Sequence, residues 1–72
     1  MERFLQYSLE RGRVIRLIYQ EENGRMRQVN AQVTALQGDM VSFVIQRPRR
    51  EITLPMWQLL SADYRKGDEG QE

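Results

Sequence analysis

Met26-Arg27-Gln28-Val29-Asn30-Ala31-Gln32-Val33-Thr34-Ala35-Leu36 carries the clearest alternation in the chain, with Val29, Ala31, Val33 and Ala35 on one side and Gln28, Asn30, Gln32 and Thr34 on the other. Apolar residues repeating with period two mark a strand whose one face is buried. Its length and its small inward residues suit a strand that bends sharply and serves both halves of a curled sheet, because alanine leaves room where a wall curves.

The segment before it also has period two. Ile15, Leu17 and Tyr19 take one face and Val14, Arg16 and Ile18 the other. Gln20-Glu21-Glu22-Asn23-Gly24-Arg25 is polar, and its Asn-Gly pair accepts the positive φ angles of a hairpin turn. The two strands are therefore antiparallel neighbours. Upstream, Met1, Phe4, Leu5, Ser8 and Leu9 share one helical stripe, and Gly12 supplies a left-handed stop.

Downstream, Gln37-Gly38-Asp39 turns the chain into Met40–Gln46, where Val41, Phe43 and Ile45 point inward while Met40 and Val44 point out. Gln46-Arg47-Pro48-Arg49 turns it again, and Arg50–Leu54 alternates until Pro55 removes a ladder donor. Met56-Trp57 fits one 3-10 turn, and a last strand follows with Leu60, Ala62 and Tyr64 inward.

The expected layout is mainly β. A helix over 2–11 leads into strands at about 13–20, 26–36, 40–46, 50–54 and 58–64, closing into a small five-stranded antiparallel barrel of the Sm/SH3-like kind with a 3-10 turn before the last strand. Closure protects strand edges. An open meander with the helix on one face satisfies the same pattern. Residues 1–64 form one domain, and 65–72, without an apolar side chain, are expected to be a disordered tail.

Composition excludes several classes. A chain of 72 residues holds one small domain. Without cysteine or histidine it has no disulfide, no thiolate site and no imidazole ligand or base, so neither metal nor cofactor is expected. The acidic pairs Glu21-Glu22 and Asp68-Glu69 lie in polar segments without the apolar walls that tune a catalytic carboxylate, and no nucleophile triad or phosphate-cradling glycine motif occurs. An enzyme is not expected. No apolar run approaches a membrane span, so a soluble cytoplasmic protein is the expectation.

Ten of the eleven basic residues are arginine, the better fork for phosphate. Arg47, Arg49 and Arg50 crowd one loop around Pro48 and suit a clamp on consecutive phosphates, or else a solvated loop that blunts a sheet edge. Arg16 interrupts an otherwise apolar face, with a cross-strand salt bridge as its structural alternative. Trp57 precedes the last strand, placed to stack on a base or to plug the core. Arg11 and Arg13 flank the helix stop, where cations complement the helix dipole.

Arg13-Val14-Ile15-Arg16-Leu17-Ile18-Tyr19, then Asn23-Gly24, then a long alternating strand and Leu59-Leu60-Ser61 resemble the WYL domain of bacterial transcription regulators, over about residues 5–64. Arg16, Leu17, Tyr19 and Gly24 match that family's opening. Its Trp-Tyr-Leu triplet falls near Val41-Ser42-Phe43 here, and its Arg-x-Phe near Arg50-Glu51-Ile52. Eleven residues before Gly12 leave no room for the family's upstream winged helix, so the chain is similar to the small free-standing barrels of Gram-positive bacteria. The resemblance implies ligand sensing, with single-stranded nucleic acid or a nucleotide as ligand, through Arg16, Arg47, Arg49, Arg50 and Trp57. The alternative is a protein-interaction module that pairs through exposed barrel strands, as a homo-oligomer or with a regulator protein.

Overall fold

The computed structural model describes residues 1–67. The acidic pair Asp68-Glu69 and the end of the expected tail lie outside the described residues. Helix α1 spans Glu2–Arg11, followed by strands β1 (Val14–Gln20), β2 (Met26–Gln37), β3 (Met40–Gln46) and β4 (Arg49–Pro55), a 3-10 turn (Met56–Gln58) and β5 (Leu59–Tyr64). The five strands form one antiparallel sheet in the order β4-β3-β2-β1-β5.

That order makes β4 and β5 the two edges, yet only three residues join them. Laid flat, the edges of five strands stand about 19 Å apart at the usual strand spacing. The connection reaches roughly 14 Å even when extended, and less as a 3-10 turn. The sheet must therefore curl. The Met56 N–H donates to the Asp39 carbonyl at 2.6 Å, tying the step to the β2–β3 turn.

The curl originates in β2. Its first part, Met26–Gln32, pairs with β1, and its second, Ala31–Gln37, pairs with β3. The two ladders overlap only at Ala31 and Gln32, so one strand serves both halves of the sheet. A bulge between Val33 and Ala35 bends it further. The bulge also shifts the phase: Ala35 lies opposite Ser42, while Leu36 lies opposite buried Val41 and packs on the core. The inward assignment of Ala35 is thereby corrected to Leu36.

A second bulge corrects β5. The register slips between Ile18 and Tyr19, so Tyr19 faces Leu59 and Ile18 faces Ser61. Leu60 is left over and points to solvent at 45% exposure, while Leu59 and Ala62 are buried. Tyr64 meets the helix instead, edge-on to Phe4 at 4.9 Å and to Tyr7 at 5.5 Å between ring centroids. Val44, expected on the outer face, is buried, with Gln32 and Glu51 as its cross-strand neighbours.

Leu5, Ile15, Leu17, Tyr19, Ala31, Val33, Val41, Phe43, Ile45, Leu54, Leu59 and Ala62 make one core, with Tyr19 against Phe43 at 5.5 Å. Helix α1 lies against β2, β5 and β1. It stops where Gly12 takes φ 63°, ψ 35°, and the Arg13 N–H returns to the Ser8 carbonyl at 3.1 Å.

Candidate anion-binding groove

The unequal strand lengths leave part of β2 with a neighbour on one side only. Met26–Asn30 pairs with β1, whereas the β3 ladder ends at Ala31 opposite Ile45. Backbone N–H and C=O groups of an antiparallel strand point alternately to its two neighbours. Val33 donates its N–H toward the β1 side, to Ser8 Oγ, which itself bonds the Arg13 carbonyl. Counting back in twos, Ala31, Val29 and Arg27 also turn their backbone groups to β1. Those of Met26, Gln28 and Asn30 turn outward, past the end of β3.

A groove of about 720 Å³ runs along this open edge, lined by Val14, Arg27, Gln28, Val29, Asn30, Ile45, Gln46, Arg47 and Arg65. Val14, Val29 and Ile45 give it an apolar floor. Arg27, Arg47 and Arg65 arrive from β2, from the β3–β4 turn and from the segment after β5, so three distant parts of the sequence converge. Gln28, Asn30 and Gln46 complete the lining, and among the described residues no carboxylate is part of it. Arg27 also meets Glu21 at 3.5 Å across the β1–β2 hairpin, in an exposed pair.

The five residues singled out from the sequence do not form one site. Arg47 lines the groove. Arg49 and Arg50 begin β4 opposite Gln46 and Ile45, and successive residues of a strand leave on opposite faces, so these three arginines are not a single clamp. All three are exposed, and none has a carboxylate partner among the described residues. The intervening Arg47–Pro48 bond is cis.

Arg16 is held elsewhere. Its guanidinium donates to Asp63 Oδ2 at 3.3 Å, across the β1–β5 ladder where the two residues are register partners. That is the cross-strand salt bridge weighed against its ligand role.

Trp57 is 73% exposed and therefore no core plug. It lies in a second cleft, of about 420 Å³, with Gln20, Glu21, Glu22, Gly24 and Gln58. The Gln58 side-chain amide donates to the Gln20 carbonyl at 2.9 Å and holds the 3-10 turn against the β1–β2 hairpin. Two carboxylates make this cleft a poor place for phosphate.

Arg27, Arg65, Gln28, Asn30 and Gln46 were not singled out from the sequence. A usable signal existed for the first: a strand of 12 residues paired to two of 7 must overhang each of them, and Arg27 lies where it overhangs β3. Nothing in the sequence marked Arg65, which follows the last apolar residue. Among the described residues, no three His, Cys, Asp or Glu side chains are grouped closely enough to hold a metal ion, and no helix is long and apolar enough to cross a membrane. No protein-family model, curated protein or solved structure matches this chain.

Proposed function

We propose that this chain is a non-catalytic, cytoplasmic binding module for a nucleotide or single-stranded nucleic acid, in the manner of the WYL-like barrels it resembles. The observation that carries the reading is the convergence of Arg27, Arg47 and Arg65 on a groove that no carboxylate lines among the described residues. Guanidinium groups spaced around an apolar floor suit phosphates on the rim and an aromatic base within. A volume of about 720 Å³ falls in the ordinary range of small-ligand sites. Catalysis finds little support, because a chain without histidine or cysteine has few groups that exchange protons or attack carbonyls near neutral pH.

The test is fluorescence anisotropy of labelled short single strands of DNA and RNA and of labelled nucleotides at low salt. Binding in the range of about 10⁻⁴ to 10⁻⁶ M, weakening as salt rises, is the expected result. Arg27→Ala with Arg47→Ala should weaken it. No binding at tens of micromolar protein would overturn the reading.

A second reading rests on the sheet edges. Strands β4 and β5 each pair on one side only, and unpaired edges recruit further strands. An interaction module that assembles through them elutes as an oligomer when light scattering is coupled to size exclusion. A monomer at high concentration would remove that reading and leave the first intact.

A further inference from the structure

We infer that the exposed Trp57, with Met26 and Leu60 beside it and Glu21 and Glu22 at its rim, forms a docking surface for a protein segment that carries arginine or lysine next to apolar side chains. The surface shares no residue with the lining of the arginine groove and does not use the backbone edges of β4 and β5, so it stands apart from both readings above. Five large apolar side chains are exposed among the described residues, and three of them gather at one end of β1. Trp57 lines one cleft with Gln20, Met26 is the register partner of Gln20 and is 71% exposed, and Leu60 is the residue that the β5 bulge leaves over one rung away. Apolar side chains exposed singly are ordinary, whereas several together mark a surface that a partner covers.

The residues around the indole are held in place although the indole itself faces solvent. Before it, Met56 packs on the core and donates its N–H to the Asp39 carbonyl. After it, the Gln58 side chain donates to the Gln20 carbonyl. The hairpin wall of the cleft is fixed as well: the Gln20 side chain donates to the Gly24 carbonyl at 3.3 Å, the Gly24 N–H to the Glu21 carbonyl at 2.9 Å, and the Glu21 N–H to the Arg25 carbonyl at 2.8 Å. Docking therefore orders little that is not already ordered, which keeps the entropy cost of association low.

Charge selects the occupant. Glu21 and Glu22 line the cleft, and among the described residues no cationic side chain lines it and none is ion-paired with Glu22. Glu21 is engaged by Arg27 at 3.5 Å. An aromatic face attracts a cation through its ring quadrupole. A guanidinium or ammonium in this cleft therefore meets the indole and the Glu22 carboxylate together, while its aliphatic stem and its apolar neighbours cover Leu60 and Met26. The same carboxylates repel phosphate and the surface of an anionic bilayer. Tryptophan is also among the side chains on which the energy of protein association concentrates.

The probe is a fluorescein-labelled hexapeptide of alternating arginine and leucine, compared with peptides in which glutamate replaces arginine or serine replaces leucine, all on the intact chain and read by anisotropy. The arginine–leucine peptide is expected to bind at least about tenfold tighter than either control. An unlabelled copy should shift the emission of Trp57, the one tryptophan present. Trp57→Ala should weaken peptide binding at least about tenfold, and Glu22→Gln about two- to fivefold, with single-strand binding in the arginine groove unchanged in both. Both residues are exposed, so the fold tolerates the changes. No binding of the arginine–leucine peptide at about 0.5 mM protein, equal binding of either control peptide, or binding that ignores both substitutions overturns the inference. An emission shift on raising the protein concentration alone, with a dimer in light scattering, assigns the surface to a second copy and overturns it, and a shift on neutral phosphatidylcholine vesicles assigns it to lipid and does the same. All of these outcomes leave the arginine groove to its own test, the single-strand titration.

Discussion

Ser8 and Val33 are joined by a hydrogen bond in which the Val33 N–H donates to the fully buried Ser8 hydroxyl at 2.9 Å. The same hydroxyl donates to the Arg13 carbonyl at 2.6 Å. Extending the β1–β2 register by one step would set Arg13 opposite Val33. The hydroxyl therefore stands in for a direct rung, as a bridging water does elsewhere, and fastens α1 to the point where β2 leaves β1 and begins to bend. Ser8→Ala keeps the shape of the site but strands the buried Val33 N–H. A loss of about 1–3 kcal/mol is expected, read by urea denaturation, with an unchanged m-value showing that the effect lies in the native state. A loss under about 0.5 kcal/mol would mean that water replaces the hydroxyl.

Much of the fold was legible because two signals agreed along most of the chain. Period-two alternation from Val14 to Ile45 marked the first three strands, and Asn23-Gly24 and Gly38 marked the turns between them; both glycines have positive φ, as such turns require. The local errors sit at the bulges. An extra residue flips every later side chain to the other face, and neither Thr34 nor Leu60 differs in kind from its neighbours in a way that announces a bulge. The groove was less legible than the sheet. Arg47 was visible as part of a cluster, but Arg27 and Arg65 become its neighbours only through the unequal lengths of β2 and β3 and the return of the chain after β5.

The β5 bulge makes a pair of adjacent leucines differ sharply. Leu59 is in the core opposite Tyr19, and Leu60 faces solvent. Leu59→Ala is expected to cost about 2–5 kcal/mol, and Leu60→Ala to stay within about 0.5 kcal/mol. Denaturant titration of the two variants checks the register directly. The reverse ranking would place the phase of β5 where alternation alone puts it, with Leu60 inside.

Arg47 and Arg16 should separate in the salt dependence of binding. Each phosphate contact to a single strand contributes about 0.7 to the slope of log affinity against log salt. Arg47→Ala should lower the magnitude of that slope by about this amount. Arg16, paired with Asp63 on a different ladder, should leave the slope unchanged when replaced by alanine. A double-mutant cycle on Arg16 and Asp63 should give a coupling below about 1 kcal/mol, since both side chains are partly exposed. A slope change for Arg16→Ala equal to that of Arg47→Ala would extend the binding surface onto the β1–β5 face.

Trp57 is the one tryptophan in the chain, so its fluorescence reports a single place. At 73% exposure the indole should be quenched by acrylamide almost as efficiently in the folded protein as in denaturant, and Trp57→Ala should leave stability within about 0.5 kcal/mol of the parent. Its cleft carries Glu21 and Glu22, whose charges repel phosphate, while Arg27 draws Glu21 away toward β2. A strand bound in the arginine groove should therefore leave the indole emission unchanged at saturation. Strong quenching that follows the binding curve would mean that the strand crosses the β1–β2 hairpin and stacks on Trp57. The acidic pair would then be a boundary that the ligand passes, and Glu22→Gln should strengthen binding in proportion.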